Sequence, residues 1–389
     1  MSAASRHALA ADSVFDGASL RSDFAVVIEG ERIAAILPTR ELQHDIPVRR
    51  LPDGAWLAPG FIDVQVNGGG DVLFNDDPSP EGIAAIVAAH RRFGTTALLP
   101  TLISDTPEKM RSALGAVQAM VGREPGVLGI HFEGPFLSPE KPGVHDTAMI
   151  RTPGPADHAL LISLRGGATL VTLAPEAAPA GFIGALAAAG VRVSLGHSMA
   201  TYAQTWAALA EGLTGFTHLF NAMRPLASRE GGPIAAALEC PDASYGLIVD
   251  GVHVAPAMLR LALRGAGHPM LVTDAMPPVG GSRSSFLLHG QKIEVRDGRC
   301  ARADGTLAGG ALDMATAVRN CVRLLRLPLP DALRLATEAP ARFLGVADRL
   351  GRLASGYRAD LIALDPDAVR VLATWVAGKQ ARSSQAVEF

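Results

Sequence analysis

The sequence predicts an α/β protein: a (β/α)8 TIM barrel with a small β-sandwich domain formed by the N- and C-terminal segments. Between residues 57 and 343, short apolar runs typical of buried strands alternate with segments of helical character, and this alternation includes eight strands. At both ends of the chain the alternation gives way to short apolar runs separated by turns, which are typical of an antiparallel sheet.

The barrel elements follow one another at similar intervals. The predicted strands cover residues 57–67, 95–103, 127–136, 168–175, 191–197, 215–220, 245–250 and 269–274. The predicted helices cover residues 80–93, 107–121, 156–164, 180–189, 201–211, 233–238, 256–264, 312–325 and 331–343. A doubly wound open sheet is the alternative. It is disfavoured because no glycine-rich phosphate-binding fingerprint follows the first strand.

The two ends of the chain are predicted to share one small domain. Residues 24–37 and residues 359–378 each contain two apolar runs around a turn, and neither end has enough apolar residues for its own core. We therefore expect residues 1–57 and 352–389 to form the β-sandwich and residues 58–351 to form the barrel. Turn signals at 297–298 and 304–305 predict a β-hairpin insertion near residues 286–310.

The composition excludes several classes of function. The 389 residues are 48% hydrophobic and 19% charged, with a formal net charge of −3 and a pI of about 6.4. No basic run accompanies aromatic residues, so nucleic acid is not an expected partner. No apolar run has membrane-spanning length, and the N-terminus lacks a signal-peptide core. The separated Cys240, Cys300 and Cys321 are typical of reduced thiols, so we expect a cytoplasmic protein without membrane partners.

Residue types that bind metals occur at the ends of several predicted strands. The third strand contains His131 and Glu133, the fifth ends with His197, and the sixth carries His218. In such barrels the C-terminal ends of the strands form the active-site face. One carboxylate and two imidazoles suit zinc or a similar divalent ion and leave a coordination position open. Asp274, at the end of the eighth strand, is a free carboxylate that can act as a general base.

Each of these residues also has an ordinary structural interpretation. His131 and Glu133 share one face of a strand and could form a satisfied buried pair under a tight turn. A single strand-end histidine is more often hydrogen-bonded than metal-bound, but four strand ends with a ligand or base favour a metal-dependent hydrolase. The histidines away from strand ends are interpreted as surface or packing residues: His7, His44, His90, His158, His268 and His289.

Several motifs resemble the N-acetylglucosamine-6-phosphate deacetylases of the amidohydrolase superfamily. From about residue 57 onward they are PGFID (59–63), HFEGP (131–135), GHS (196–198), THLFNAM (217–223), VTDA (272–275), AGG (308–310) and PAR (340–342). The resemblance implies hydrolysis of the acetamide of N-acetyl-D-glucosamine 6-phosphate to D-glucosamine 6-phosphate and acetate, in amino-sugar catabolism and cell-wall sugar recycling. Alternatives are an amidohydrolase for a different amide or for the galactosamine isomer, and an inactive sugar-phosphate sensor.

The same resemblance implies roles for individual residues. Glu133, His197 and His218 would hold one divalent metal per subunit, with Zn²⁺ the first choice and Fe²⁺, Co²⁺ or Mn²⁺ as alternatives. Asp274 would take a proton from the attacking water and return it to the leaving amine. His145 would contact the sugar and the developing oxyanion.

The resemblance also implies a substrate-binding set and a homodimer. Phosphate would be bound by Arg229, His253 and the backbone of Asn221 and Ala222, and the sugar pocket would be lined by Leu307, Ala308 and Gly309. Arg229 would be contributed across the dimer interface. Many superfamily members carry a His-x-His pair on the first strand for a second metal. Here the possible remnant positions are Gln65 and Asn67, and amides are poor zinc ligands, which favours a single tightly bound metal.

Overall fold

The structure, a computed structural model, describes residues 6–381, and it divides into two compact units. The first unit comprises the chain up to residue 63, residues 90–97 and the chain from residue 314. The second comprises residues 64–89 and 98–313. The ranges 1–57 and 352–389 expected for the small domain extend beyond the described residues at both ends, and their boundaries stay predictions.

In the first unit, strands from both ends of the chain form one sheet. Their spatial order is Lys379–Gln380, Arg370–Val376, Leu361–Asp365, Trp56–Pro59, Arg6–Phe15, Leu20–Glu29 and Arg32–Pro38, and Val48–Arg50 pairs separately with Arg6–Phe15. Leu361–Asp365 runs antiparallel to Trp56–Pro59. Buried apolar side chains from both ends pack in one cluster, which includes Leu9, Val26, Leu57, Leu361 and Trp375. Because this cluster draws side chains from both ends of the chain, it agrees with the expectation that neither end has enough apolar residues for a core of its own.

The second sheet is the parallel sheet of a nearly closed eight-stranded barrel. Its strands, in spatial order, are Phe61–Val66, Thr95–Ile103, Gly129–Glu133, Ala168–Leu173, Arg192–Leu195, Gly215–Phe216, Ser244–Leu247 and His268–Leu271. A parallel bridge between Val66 and Ala275 joins the first strand to the segment after the eighth. The predicted fold class is therefore confirmed.

Helices alternate with the barrel strands as the sequence predicts. They are Pro80–Arg91, Pro107–Met120, Pro155–Leu161, Phe182–Ala188, Tyr202–Glu211, Gly232–Glu239 and Pro256–Ala262, followed in the first unit by Met314–Leu325, Leu329–Ala336 and Glu338–Leu344. Short 3-10 helices cover Thr39–Glu41, Thr147–Met149 and Pro175–Ala177. Within residues 6–381, none of the helices has both the length and the apolar character needed to cross a bilayer.

Local sequence signals account for the ends of these helices. Thr106 caps the helix that begins at Pro107, and a proline suits this first position because its missing N–H would be unpaired there anyway. Thr201 and Gln204 form a reciprocal capping box. That helix ends at Gly212, whose φ of 110° lies in the left-handed region that glycine adopts without strain.

Two predicted elements are each divided in the structure. The strand predicted over 57–67 is two strands in different sheets: Trp56–Pro59 pairs with Leu361–Asp365, whereas Phe61–Val66 belongs to the barrel, and Gly60 separates them. A Cβ there would lie 2.2 Å from a side-chain atom of Thr96, so only glycine fits. The helix predicted over 331–343 breaks at Thr337. Pro340 has no N–H to donate to the preceding turn, so an uninterrupted helix is disfavoured there.

The segment expected to form a hairpin insertion is a four-stranded antiparallel sheet. Its strands are Ser285–Leu288, Gln291–Arg296, Arg299–Ala301 and Leu307–Gly310. The first two connections contain paired residues with positive φ, His289–Gly290 and Asp297–Gly298, as in tight two-residue hairpin turns. The three cysteines are free and buried, in agreement with the expected reduced thiols.

Candidate metal centre and active site

Four functional side chains lie in the second unit where barrel strands end. Glu133 is the last residue of its strand, whereas His197, His218 and Asp274 follow strands that end at Leu195, Phe216 and Leu271. The fifth, sixth and eighth strands are therefore shorter than predicted. His197, His218 and Asp274 have φ values of 49°, 36° and 49°, which are uncommon for residues other than glycine. Such strained backbone is concentrated at functional sites in proteins.

Glu133, His197 and His218 bring three ligand atoms together. Oε1 of Glu133 lies 3.0 Å from Nε2 of His197 and 3.0 Å from Nε2 of His218. The two Nε2 atoms are 3.1 Å apart. The three ligand atoms all lie within 4.8 Å of one another, and the three residues are buried.

The surroundings of His197 indicate what this group can bind. Its Nδ1 lies 2.8 Å from the carbonyl oxygen of Lys141, which can only accept, so Nδ1 carries a proton. In the uncharged tautomer that carries this proton, the lone pair is at Nε2, where it faces Oε1 of Glu133. Two facing lone pairs fit a site that a cation completes, and a carbonyl that orients a histidine is common behind metal ligands. The chain thus has a Glu/His/His group that could bind a metal.

Asp274 lies beside this group and is held by two amides. Its Oδ1 accepts hydrogen bonds from Nδ2 of Asn67 at 2.7 Å and from Nε2 of Gln65 at 3.1 Å. Nε2 of Gln65 also donates to Oε2 of Glu133 at 3.1 Å. Burial, followed by the negative charge of Glu133, raises the pKa of Asp274 to about 6. A carboxyl group with a pKa in this range can exchange protons near neutral pH.

The orientation of His145 is determined by Ser104, the residue after the second barrel strand. The backbone N–H of Ser104 donates to Nδ1 of His145 at 3.2 Å, and Oγ of Ser104 lies 2.7 Å from the same atom. Burial, followed by the charge of His197, holds the pKa of His145 well below its usual value. Because a backbone N–H can only donate, the proton of the neutral ring is at Nε2, 3.9 Å from Oε1 of Glu133. His145 therefore offers a hydrogen-bond donor to the site.

A second histidine is oriented by a carboxylate. Nδ1 of His253 lies 2.6 Å from Oδ2 of Asp250, whose Oδ1 accepts the backbone N–H groups of Val252 and His253. Burial alone would raise the pKa of Asp250, but the hydrogen bond and charge of His253 hold that pKa below its ordinary value. This contact fixes the ring of His253, which lines the same pocket as the Glu/His/His group.

Most of the residues predicted for the site line one pocket of the second unit. The lining consists of Asn67, Ile103, Glu133, Gly143, Val144, His145, His197, His218, Asn221, Ala222, His253, Asp274, Met276, Leu307 and Gly309. Ala308 instead packs in a buried apolar cluster with Met276 and Phe286. Arg229 is exposed in the loop that follows the sixth strand, and it does not line this pocket.

His131 shares a face with Glu133 but contacts a different set of residues. Its Nε2 lies 2.7 Å from Oγ1 of Thr172, which is 2.6 Å from Oγ1 of Thr217. Burial lowers the pKa of His131 to about 4, so the ring is neutral. The structural interpretation of His131 therefore fits these contacts.

Sequence reasoning missed Ser104 and assigned no role to Asp250, and both residues orient the site. Ser104 is a polar residue directly after a predicted strand, and this position was a usable signal. Asp250 stands three residues before His253, and an aspartate commonly accepts the backbone N–H groups of residues two or three further on. The apolar wall of Ile103 and Met276 had no sequence signal that separates it from ordinary core.

Comparisons with known proteins agree with this site. Residues 56–387 match the model of the amidohydrolase family. The chain is 44% identical over 355 residues to N-acetylgalactosamine-6-phosphate deacetylase of Shewanella sp. (strain ANA-3), covering 90% of this chain and 89% of that protein. It is 38% identical to N-acetylglucosamine-6-phosphate deacetylase of Haemophilus influenzae, with 92% and 94% covered.

A solved structure extends the likeness to three dimensions. The crystal structure of N-acetylglucosamine-6-phosphate deacetylase from Pasteurella multocida superimposes with a TM-score of 0.92 and 35% identity, covering 96% of this chain and 99% of that one. The family match spans most of the chain, and the relatives match along nearly their whole length. The chain therefore belongs to the amidohydrolase family, among relatives named as deacetylases of N-acetyl amino-sugar phosphates.

Proposed function

We propose that the protein hydrolyses the acetamide of N-acetyl-D-glucosamine 6-phosphate to D-glucosamine 6-phosphate and acetate in the cytoplasm. One observation carries this proposal: a buried Glu/His/His group has a carboxylate with a pKa of about 6 beside it, at the ends of four barrel strands. The galactosamine isomer is a second candidate substrate, because the relative with 44% identity is named for it.

The residues that would hold a metal are Glu133, His197 and His218. The proton on Nδ1 of His197 and the lone pair at its Nε2 support this role, as does the carboxylate oxygen 3.0 Å away. Two imidazoles and one carboxylate match Zn²⁺ best among the divalent ions, and Fe²⁺, Co²⁺ and Mn²⁺ are alternatives. When bound, such an ion polarises a carbonyl group and lowers the pKa of water. We expect one ion per subunit.

The chain's own groups account for the proton transfers. Asp274 takes a proton from the water that attacks the acetyl carbon and then gives it to the nitrogen as the C–N bond breaks. Its Oδ1 is occupied by two amide donors, so Oδ2 is the oxygen that carries this proton. The Nε2–H of His145 is positioned to donate to the oxygen that becomes negative.

We assign phosphate binding to other groups that line the same pocket. The Asp250-supported imidazole of His253 and the backbone at Asn221 and Ala222 are suited to an anion. Arg229 is exposed and is not in the pocket of its own chain. We infer a homodimer in which Arg229 of one subunit completes the phosphate site of the other.

Subunit mixing tests this dimer. Arg229→Ala and Asp274→Asn are each expected to be inactive, but a mixed dimer would contain one site with both defects and one site with neither. Random pairing should restore roughly a quarter of the wild-type activity, given a two-fold interface. If Arg229 serves its own chain, every site keeps one defect and no activity returns. Native mass spectrometry confirms that exchange has occurred.

Acetate release from a panel of sugars tests the function itself. The panel contains the N-acetyl derivatives of glucosamine and galactosamine, each with and without a 6-phosphate. We expect kcat/KM to be highest for N-acetylglucosamine 6-phosphate and about thirty- to a hundredfold lower without phosphate, since a lost charged contact costs about 2–3 kcal/mol. A preference for the galactosamine isomer would select the second candidate, and no acetate from any member would refute both.

A further inference from the structure

Asn67 is held in place by hydrogen bonds from both its backbone and its side chain. Its backbone N–H donates to the carbonyl oxygen of Ala275 at 2.9 Å, and its own carbonyl oxygen accepts from the N–H of Phe74 at 2.8 Å. Its side-chain Nδ2 donates to Oδ1 of Asp274 at 2.7 Å. The residue is only 2% exposed. Backbone and side chain therefore fix one orientation of the amide.

The chemistry of its neighbour determines which end of the Asn67 amide faces the pocket. An ionised carboxylate can only accept hydrogen bonds, so the nitrogen must face Asp274 and the oxygen must face away. Among residues 6–381, Oδ1 of Asn67 has no hydrogen-bond partner although it is buried. A buried acceptor without a partner is unfavourable and calls for an explanation. Because Asn67 lines the pocket, a ligand can supply the missing donor.

We propose that Oδ1 of Asn67 accepts the N–H of the scissile acetamide while Nδ2 holds Asp274. This inference rests on the proposed deacetylase function. Asp274 must reach the scissile nitrogen in order to protonate it, so this nitrogen lies within hydrogen-bond reach of Asp274. The oxygen of Asn67 shares a carbon with the nitrogen that contacts Asp274. The oxygen of Asn67 therefore lies close to the N–H of the scissile acetamide, which is the only N–H of a secondary amide.

This contact orients the nitrogen for the proton transfer. The water oxygen bonds to the acetyl carbon, and its proton goes to Asp274. The C–N bond then breaks with its electron pair on nitrogen, and the proton passes from Asp274 to that electron pair. The hydrogen that Asn67 binds stays on nitrogen throughout. With the N–H held on one side, the lone pair is left free to face Asp274. Asn67 is thus a positioning residue of the amide cleavage.

Gln65 provides a matched control. Its Nε2 also donates to Oδ1 of Asp274, at 3.1 Å, but Gln65 does not line the pocket. Gln65→Leu removes a donor that Asp274 and Glu133 share and leaves the pocket acceptor in place. Asn67→Leu removes both the donor and the acceptor.

The experiment compares two substrates that differ only at the scissile link, the N-acetyl sugar phosphate with an N–H and its 2-O-acetyl ester analogue with an oxygen. The ester has no N–H, so it cannot use the oxygen of Asn67. We expect Asn67→Leu to lower kcat/KM for the amide more than for the ester. The ratio of the amide value to the ester value should fall about tenfold or more, because the N–H of the bound amide is left without an acceptor. We expect Gln65→Leu to lower both values by a similar factor and to leave the ratio within about twofold of wild type, because it removes no substrate contact.

The outcomes separate this inference from the function on which it rests. If the wild-type protein releases no acetate from the amide, the proposed function fails. The second outcome assumes an active wild-type protein and an Asn67→Leu variant with normal metal content and measurable ester turnover. If this variant keeps the wild-type ratio of amide to ester kcat/KM, the oxygen of Asn67 does not bind the substrate N–H and the inference is refuted. Asn67→Ala repeats the comparison if Asn67→Leu does not fold.

Discussion

Replacement of Asp274 by asparagine should weaken catalysis and strengthen the fold at the same time. The new amide side chain would keep an oxygen that can accept from Gln65 and Asn67, but it cannot take a proton. Turnover should fall by a factor on the order of 10² to 10⁴, the range for a positioned acid–base group. Metal content should stay near that of wild type, because Asp274 is not among the three ligands.

The gain in stability follows from the pKa of Asp274. Burial and the charge of Glu133 raise this pKa from 3.8 to about 6, so the ionised side chain destabilises the folded protein. The cost is full above pH 6 and is lost as the pH falls from 6 towards 3.8. A difference of about two pKa units corresponds to about 3 kcal/mol at pH 8 and to roughly half of that at pH 5. Asp274→Asn should stabilise the metal-free protein by up to these amounts.

Urea unfolding of the metal-free protein at pH 8, 6 and 5 measures this effect. Asp242→Asn is the matched control, because it removes the same charge from an exposed position and should change stability by less than about 0.5 kcal/mol. A stability gain for Asp274→Asn that is absent at pH 8, or that does not shrink at pH 5, would contradict the assignment of a raised pKa to this carboxyl group.

Two further substitutions test the residues that orient the site. Ser104→Ala removes one of the two contacts to Nδ1 of His145, so kcat should fall about three- to tenfold with little change in KM, and ¹⁵N NMR should still find the ring proton on Nε2. A large rise in KM instead would mean that Ser104 serves substrate binding. Asp250→Asn removes the carboxylate that fixes the ring of His253, so KM for the phosphorylated sugar should rise about tenfold while kinetics with the unphosphorylated sugar stay the same. Equal effects on both sugars would argue against a phosphate role.

The fold was predictable because its signals are local and repeated. Buried strands with capped helices between them predict a barrel even when single boundaries are wrong. The errors occurred where a distant contact decides the structure. Gly60 separates two strands that were predicted as one, because the first of them pairs with Leu361–Asp365, and the sequence around residue 60 contains no trace of this distant partner.

The candidate site was predictable in its residue types and less so in its geometry. Parallel strands converge at one edge, so Glu133, His197 and His218 could be grouped from sequence. The left-handed backbone of His197 and His218 could not be predicted, because no local motif specifies it. The sequence also suggested Gln65 and Asn67 only as remnant metal positions. An amide can be a ligand or a donor, and only the distances to Asp274 distinguish the two.

Titration of the metal-free protein with Zn²⁺ tests the central claim most directly. Acetate release from N-acetylglucosamine 6-phosphate is measured as Zn²⁺ is added, starting from a sample that metal analysis finds empty. A three-ligand site with Asp274 as the base predicts no activity without metal, a linear rise, and saturation at about one ion per chain. Full activity in the metal-free sample, or no activity at any Zn²⁺ level, would contradict the assignment of Glu133, His197 and His218 to a catalytic metal.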